Sequence, residues 1–498
     1  MSTRARWETI AQVVARHRER GRKVLVVVSA LSGVTDLLKA TAGTRGDEAA
    51  SRDAQAGIVE RHHALHRELG LPARNALDGW LARLDQLLAD PRRRQAALAW
   101  QAEVFALGEL MSSTLGAAFL GTRGLEAHWL DAREHLHAQP LANQNAWAHF
   151  LSASVPAAPD AAFAQALAAR GDVFITQGFI AGNPRGETVL LGRGGSDTSA
   201  GCFGALLKAE CVEIWTDVPG MFSANPRTVP DARLLARLDY EEAQEIATTG
   251  ARVLHPRALG PLRRSGVPLF IKDTNRPQLA GTEIRAAAVE AAPCVKAISA
   301  RKGVTLVSME TVGMWQQVGF LADVFGEFKR HGLSVDLIGS AETNVTVSLD
   351  PNENLLDSDV LSALASGLAK ICRVKVIAPC AAITLVGRGM RSLLHRLPGV
   401  LAEFGALDVH LISQSSNNLN LTFVVDESLA DGLVPRLHAL LIRADALRVE
   451  DGAVFGPSWR QLAAGVAAAG LSGGRDERDA LLALAREASP RYVYSLGH

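Results

Sequence analysis

The chain has 498 residues, 48% of them hydrophobic, and its basic and acidic side chains balance at 52 each. That length accommodates about three domains, each with its own core. The zero net charge excludes a basic nucleic-acid footprint or attraction to an anionic membrane, so the expected partner is a small molecule. Five cysteines (Cys202, Cys211, Cys294, Cys372 and Cys380) show neither a CxxC pair nor a histidine at zinc spacing. They predict reduced, mostly buried thiols in a cytoplasmic protein. The Met1–Trp7 start has no apolar core and no run reaches membrane-spanning length, which predicts neither signal peptide nor anchor.

Taken in order, Trp7 to Arg20 has helical spacing, with Trp7, Ile10, Val13 and Val14 on one face. It leads into Lys23 to Ala30, a Val-rich run expected as a strand buried on both faces of a parallel sheet. That strand ends on Leu31-Ser32-Gly33-Val34-Thr35-Asp36, at the kind of crevice where open α/β sheets bind ligands. Ser29 and Thr35 are candidate contacts there, or helix caps. Residues 45–139 read as helical, and His62, His63 and His66 are expected on a solvated face with no metal ligand set. Within this region Glu109, in Gly108-Glu109-Leu110-Met111-Ser112, could hold a substrate ammonium or form a salt bridge. A second strand, Val173 to Phe179, a hairpin loop at Asn183-Pro184-Arg185-Gly186, and a third strand from Val212 that closes on Pro219-Gly220 complete a three-layer α/β domain.

Between these strands lies Leu190-Leu191-Gly192-Arg193-Gly194-Gly195-Ser196-Asp197, where a short strand turns into a helix over Thr198 to Lys208. Free amides at a helix N-terminus together with glycines that admit close approach suit a phosphate. Read without its context, the same stretch is equally a polar turn capped by Ser196 or Asp197.

Together with Val27 to Asp36, Gly108 to Ser112, Gln177-Gly178-Phe179, Trp215 to Phe222 and Gly250-Ala251-Arg252-Val253-Leu254-His255-Pro256, this stretch resembles aspartate kinase over about residues 2 to 450. The resemblance implies the amino-acid-kinase fold, with ATP and Mg²⁺ as cofactors and the β-carboxylate of L-aspartate as phosphoryl acceptor. It places Thr35, Glu109, Phe179, Arg193 and Ser196 around aspartate. Asp197 and Arg252 take catalytic roles, and Gly194, Gly195, Thr216, Asp217, Phe222, Arg227 and Arg252 lie on the nucleotide side. The chemistry agrees: an ionised acceptor carboxylate needs no general base, so catalysis rests on placement and charge.

The last third repeats itself. Val304 to Val307, Gly319 to Phe325, Val335 to Ile338 and Val345 to Ser348 are echoed by Ile383 to Val386, Gly399 to Phe404, Val409 to Ile412 and Leu419 to Phe423. These two modules resemble paired ACT (ferredoxin-like α+β) regulatory domains, which imply amino-acid feedback and a homo-oligomer. Met314, Gln317, Phe320, Leu321, Ser334, Val335, Asp336 and Glu342 match a lysine pocket, with threonine the alternative effector and a bare dimer face the alternative role. The expected domains are a kinase over 1–275, a linker over 276–293, tandem regulatory modules over 294–452 and a tail over 453–498. In that tail, Asp476 to Glu487 reads as a helix, and Ala488-Ser489-Pro490-Arg491-Tyr492-Val493-Tyr494 is similar to the opening of a diaminopimelate decarboxylase. Two departures from the family stand out. Arg252 replaces the usual Lys, and the sequence starts just after the position of the family's Lys-Phe-Gly-Gly-Thr-Ser-Val strand and turn. That second departure predicts an unpaired edge beside Lys23–Ala30. It also keeps a catalytically weak or inactive amino-acid-sensing subunit open as the alternative to an active kinase.

Overall fold

The computed structural model describes residues 2–43, 48–72, 77–93, 95, 97–140, 145–250, 253–286, 293–311, 318–351, 354, 356–405, 407–445, 454–464 and 491–496. The expected 476–487 helix, Arg252, Met314 and Gln317 lie outside the described residues. In chain order the kinase part contains β1 (Lys23–Val28), β2 (Ala127–Trp129), β3 (Val173–Gln177), the hairpin β4 (Ile180–Gly182) and β5 (Thr188–Leu190), β6 (Cys211–Thr216), β7 (Arg233–Leu235), β8 (Arg237–Asp239), β9 (Leu269–Asp273) and β10 (Thr282–Arg285). The regulatory part contains β11 (Cys294–Glu310), β12 (Ile338–Ser340), β13 (Asn344–Leu349), β14 (Arg373–Arg388), β15 (Val409–Gln414) and β16 (Asn420–Asp426). Two tail strands follow, β17 (Phe455–Ser458) and β18 (Arg491–Leu496).

The large sheet runs β2-β3-β1-β18-β6-β9-β10-β8, and only its β9–β10 pair is antiparallel. The Arg4–Glu19 and Leu98–Thr122 helices pack together against β1, with Trp7 edge-on to Phe119. The Gly195–Leu206 helix packs on β18 and β6 with the Leu259–Ser265 helix over it, giving the expected three layers. β1 shows why a continuous apolar run was required: Val24 to Val28 are each at most 2% exposed.

Three expectations need correction. The edge of β1 opposite β3 is not unpaired, because β18 of the tail lies parallel between β1 and β6, with Val24↔Tyr492 on one side and Tyr492↔Cys211 on the other. The Leu98–Thr122 helix is long and apolar enough to cross a membrane, but most of it is buried in the kinase core, which accounts for its composition. His62 is not on a solvated face: it is fully buried, its Nδ1 lies 2.7 Å from the Ile58 carbonyl, and burial lowers its pKa to about 4.

The regulatory repeat is visible as one six-stranded sheet, β12-β13-β11-β14-β16-β15, whose two long central strands pair antiparallel over most of their length. Each echo therefore contributes one half of the sheet. β10 lies inside the stretch expected as linker and pairs with β8 and β9 of the kinase. β17 likewise pairs with β7, and Trp459 stands edge-on to Phe222, so residues 454–464 rest on the kinase part.

Because Val493 is registered with Leu25 on one side and Val212 on the other, a proline there removes a ladder N–H in mid-sheet. Val493→Pro should cost about 1–3 kcal/mol, read as a lower urea midpoint by tryptophan fluorescence. An unchanged midpoint would show that this strand does not belong to the folded sheet.

Candidate active site

The parallel strands β1, β3, β6 and β9 all end on one edge, and beyond β1 and β3 Ser29, Glu109, Phe179, Gly195 and Ser196 come together. Beyond β1, the Ser29 hydroxyl lies 2.8 Å from that of Ser196, while Ser112 Oγ donates to the Ser29 carbonyl at 2.7 Å. Beyond β3, the Gly178 amide donates to the Val28 carbonyl at 2.8 Å, which holds the two strand ends together. Phe179 follows with φ +67°, a left-handed conformation that is uncommon for an aromatic residue, and its carbonyl accepts from Leu191 N–H at 2.8 Å.

The helix expected from Thr198 begins at Gly195, so Gly195, Ser196 and Asp197 form its first turn with their amides at the site. Gly194 is the residue before it, with φ +64°, and a Cβ there would lie 2.2 Å from the His255 Cβ; only glycine fits both demands. His255 donates its backbone N–H to Asp197 Oδ2 at 3.4 Å. Burial, with Arg257 and Arg193 nearby, holds the His255 pKa below its ordinary value and so keeps the ring neutral. Arg257 bonds the carbonyls of Leu191 and Ala153, each at 2.6 Å, and thereby pins the end of the phosphate turn. Sequence reasoning missed His255, Arg257 and Ser112 as supports; the signal was that Ser112 and His255 fell within the motifs Gly108 to Ser112 and Gly250 to Pro256.

Glu109 lies in the middle of the Leu98–Thr122 helix, 3% exposed. Gly108 allows that position, since a Cβ on it would come within 2.8 Å of the Ala30 Cβ and push the helix off the end of β1. One carboxylate oxygen accepts from Ala30 N–H at 3.2 Å, while the buried Oε2 has no hydrogen-bond partner among the described residues. Burial raises the Glu109 pKa to about 8, against the partial compensation of the Ala30 amide. An interior acid with one oxygen unsatisfied is a socket for a cation of the size of an ammonium group. Arg193 is exposed and makes no hydrogen bond with a described residue, leaving its guanidinium available to an anion.

Thr216 and the exposed Asp217 stand on the same edge at the end of β6, their side chains 3.2 Å apart, and Thr274 bonds the Thr216 carbonyl at 2.8 Å. Arg227 is exposed, whereas Phe222 is buried with its ring against Trp459.

Comparison with known proteins bears on the family. The description "Amino acid kinase family" matches residues 1–273. The lysine-sensitive aspartokinase 3 of Escherichia coli is 34% identical over 84% of this chain and 92% of its own length. The chain belongs to the aspartokinases of the amino acid kinase family. An aspartokinase of Chlamydia pneumoniae is 30% identical over 85% of the chain and 92% of its own length. Among solved aspartokinases, E. coli aspartokinase III in complex with aspartate and ADP (R-state) superposes with a TM-score of 0.73 at 31% identity, covering 88% of this chain and 96% of that one. The same enzyme with lysine and aspartate (T-state) gives 0.67 at 32% identity, over 84% and 92%.

Among the positions that the resemblance assigns to an effector, Phe320 is buried at the start of the Phe320–Arg330 helix and Leu321 is exposed. Ser334 and Glu342 are exposed, and Val335 packs on the core of the first module. Asp336 faces Arg301 at 3.5 Å, and Arg301 also pairs with Asp350 at 2.9 Å. The Asp336 charge is therefore shared with a protein cation.

The raised pKa of Glu109 has a stability consequence. Between pH 4.5 and about 8 the folded chain holds a proton that the unfolded chain lacks, so the stability of the ligand-free protein falls as pH rises across that window. Glu109→Gln should remove this component, flattening the urea midpoint against pH. A wild-type slope retained in the variant would assign the effect to another group.

Proposed function

We propose that the chain transfers the γ-phosphate of ATP to the β-carboxylate of L-aspartate, and the single observation that carries this reading is the buried, unsatisfied Glu109 beside the Gly192–Asp197 turn. Glu109 meets the ammonium of aspartate, Arg193 and Ser196 meet its carboxylates, and Thr35 and Phe179 close the pocket. Aspartate's own charge drives Glu109 into the ionised form that pairs with it. The amides of Gly195, Ser196 and Asp197 stabilise charge on the phosphoryl group in transfer, a role the resemblance gives to Arg252 as well. Thr216, Asp217, Arg227 and Phe222 face the nucleotide, with Phe222 acting through its packing on Trp459. The exposed oxygens at Asp217 and Thr216 suit a hard cation that keeps much of its water and rides on the phosphates, which is the behaviour of Mg²⁺. Held there, Mg²⁺ would supply charge neutralisation to the phosphoryl transfer. The five cysteines form no disulfide among the described residues, which supports a reducing, cytoplasmic setting.

Aspartate, ATP and hydroxylamine should give the trapped acyl product, while glutamate, one methylene longer, should not. Arg193→Ala should raise the aspartate KM about 10- to 100-fold, the scale of a charge-assisted hydrogen-bond pair, and leave the ATP KM within about twofold. An unchanged aspartate KM would remove Arg193 from the acceptor pocket.

The regulatory reading is feedback by lysine through the first module, in a homo-oligomer assembled by the regulatory sheet. It is supported by the acidic positions Asp336 and Glu342, by the exposed Ile338 and Ile412 on the edge strands β12 and β15, and by the lysine-sensitive relative. Because an effector acts only through unequal affinity for two states, lysine should raise the aspartate concentration needed for half-maximal rate. Glu342→Gln should weaken that inhibition about 10-fold with the uninhibited rate unchanged. Inhibition by threonine but not lysine would reassign the effector.

A further inference from the structure

The second regulatory module brings three metal-ligating side chains together that lie far apart in sequence. Cys380 of β14 and Asp426 of β16 are registered partners on neighbouring antiparallel strands, so their side chains rise from one face of the sheet. On a regular strand β15, His410 and Leu411 would point to opposite faces. The register shifts between Val409 and Leu411: Val409 is opposite Val425, Leu411 is opposite Val424, and His410 is the extra residue of a β-bulge. Leu411 therefore joins Cys380 and Val424 in one apolar cluster. His410 turns to the same face, with its Nε2 3.0 Å from Asp426 Oδ1. One sulfur, one ring nitrogen and one carboxylate oxygen lie within 4.8 Å of one another.

We propose that Cys380, His410 and Asp426 form a binding site for one zinc-class divalent cation, tying the edge strand β15 to β14 and β16. Bond lengths of about 2.0–2.3 Å around a tetrahedral ion set its ligand atoms about 3.3–3.8 Å apart, so closing the present arrangement takes about 1 Å of side-chain movement. The thiolate and imidazole select a borderline metal over Mg²⁺ or Ca²⁺. Burial is graded across the site: Cys380 is fully buried, His410 is half-buried and Asp426 is exposed, so the fourth position opens to water. Asp426 and Glu427 place negative charge near the Cys380 sulfur, a field that favours a cation. In the ion-free protein the thiol donates weakly to the Ile377 carbonyl, at 3.5 Å. On binding, that proton leaves to solvent and a metal–sulfur bond forms, while the Nε2 hydrogen that His410 donates to Asp426 in the ion-free protein is exchanged through solvent to Nδ1, so that Nε2 offers its lone pair.

The test is a Co²⁺ titration of the full chain, stripped with chelator and kept reduced with a phosphine. A thiolate-to-cobalt charge-transfer band should grow to one equivalent and be bleached by Zn²⁺. Cys380→Ser should abolish the band and Cys372→Ser should leave it. His410→Ala and Asp426→Asn should each weaken cobalt binding at least about 10-fold. Asp426 is exposed, so its variant keeps the test valid should Cys380→Ser fail to fold. Overturning results are no band in excess cobalt, a band that survives Cys380→Ser, or unchanged affinity in both the His410 and Asp426 variants.

Discussion

Everything in the kinase part depends on hydrogen-bonding both edges of β1. A strand with five consecutive buried residues has no water to satisfy its amides and carbonyls, so each edge must find a partner strand. β3 supplies one, and Gly178 continues that pairing past the end of the strand to set Phe179 and the Gly192–Asp197 turn. β18 supplies the other and also spans the distance to β6, where Thr216 and Asp217 stand. The proposed aspartate side and the proposed nucleotide side are thus two banks of one ladder, with β18 as the strand between them.

The site built on that ladder follows one electrostatic logic. Glu109 is kept neutral by burial until a cation arrives, whereas Arg193 is left in water, where holding a charge costs little. On the proposed reading the two ends of the acceptor meet groups with opposite histories: a desolvated acid that gains by pairing and a solvated base that gains by bidentate geometry. Around them, Arg257, Ser112 and the strained Phe179 hold the turn in one shape, so the helix amides need not reorganise when phosphate charge shifts.

The sequence showed this pattern unevenly, for physical reasons. The uninterrupted Val24–Val28 run and the strand–glycine–helix turn were legible because burial on both faces and a positive φ restrict composition strongly. Glu109 was legible as an acid among apolar neighbours. The helix that carries it was not recognised as membrane-length, since the Arg-rich segments before it masked its apolar stretch. His62 was misplaced because a histidine in a run of three looks solvated, and only the packing of its helix shows which ring turns inward. β18 could not be assigned at all: a strand pairs with whatever edge the fold offers, and a slot between residues 28 and 211 is a non-local property. The Cys380–His410–Asp426 cluster escaped for the same reason, since a bulge and a cross-strand register carry no fixed spacing.

The joint between kinase and regulatory sheet limits how one can act on the other. Lys296 of β11 pairs with Glu242 at 2.6 Å, and Arg388 of β14 pairs with Asp239, where the Tyr240–Thr249 helix begins. Further along that helix, Asn417 and Asn420 bond Glu245 at 2.8 and 2.6 Å, and Ser299 bonds Thr249 at 2.9 Å. Burial pushes the Glu242 pKa up while the Glu242 amide and Arg388 hold Asp239 down, so the two acids respond differently to loss of their cations. Such buried pairs add little net stability, yet removing one partner strands a charge. The joint therefore resists partial opening and tolerates only rearrangements in which acid and cation move together. The Tyr240–Thr249 helix is thus fastened to the regulatory sheet from its first turn to its last, and His255, whose N–H bonds Asp197, follows a few residues further along the sequence.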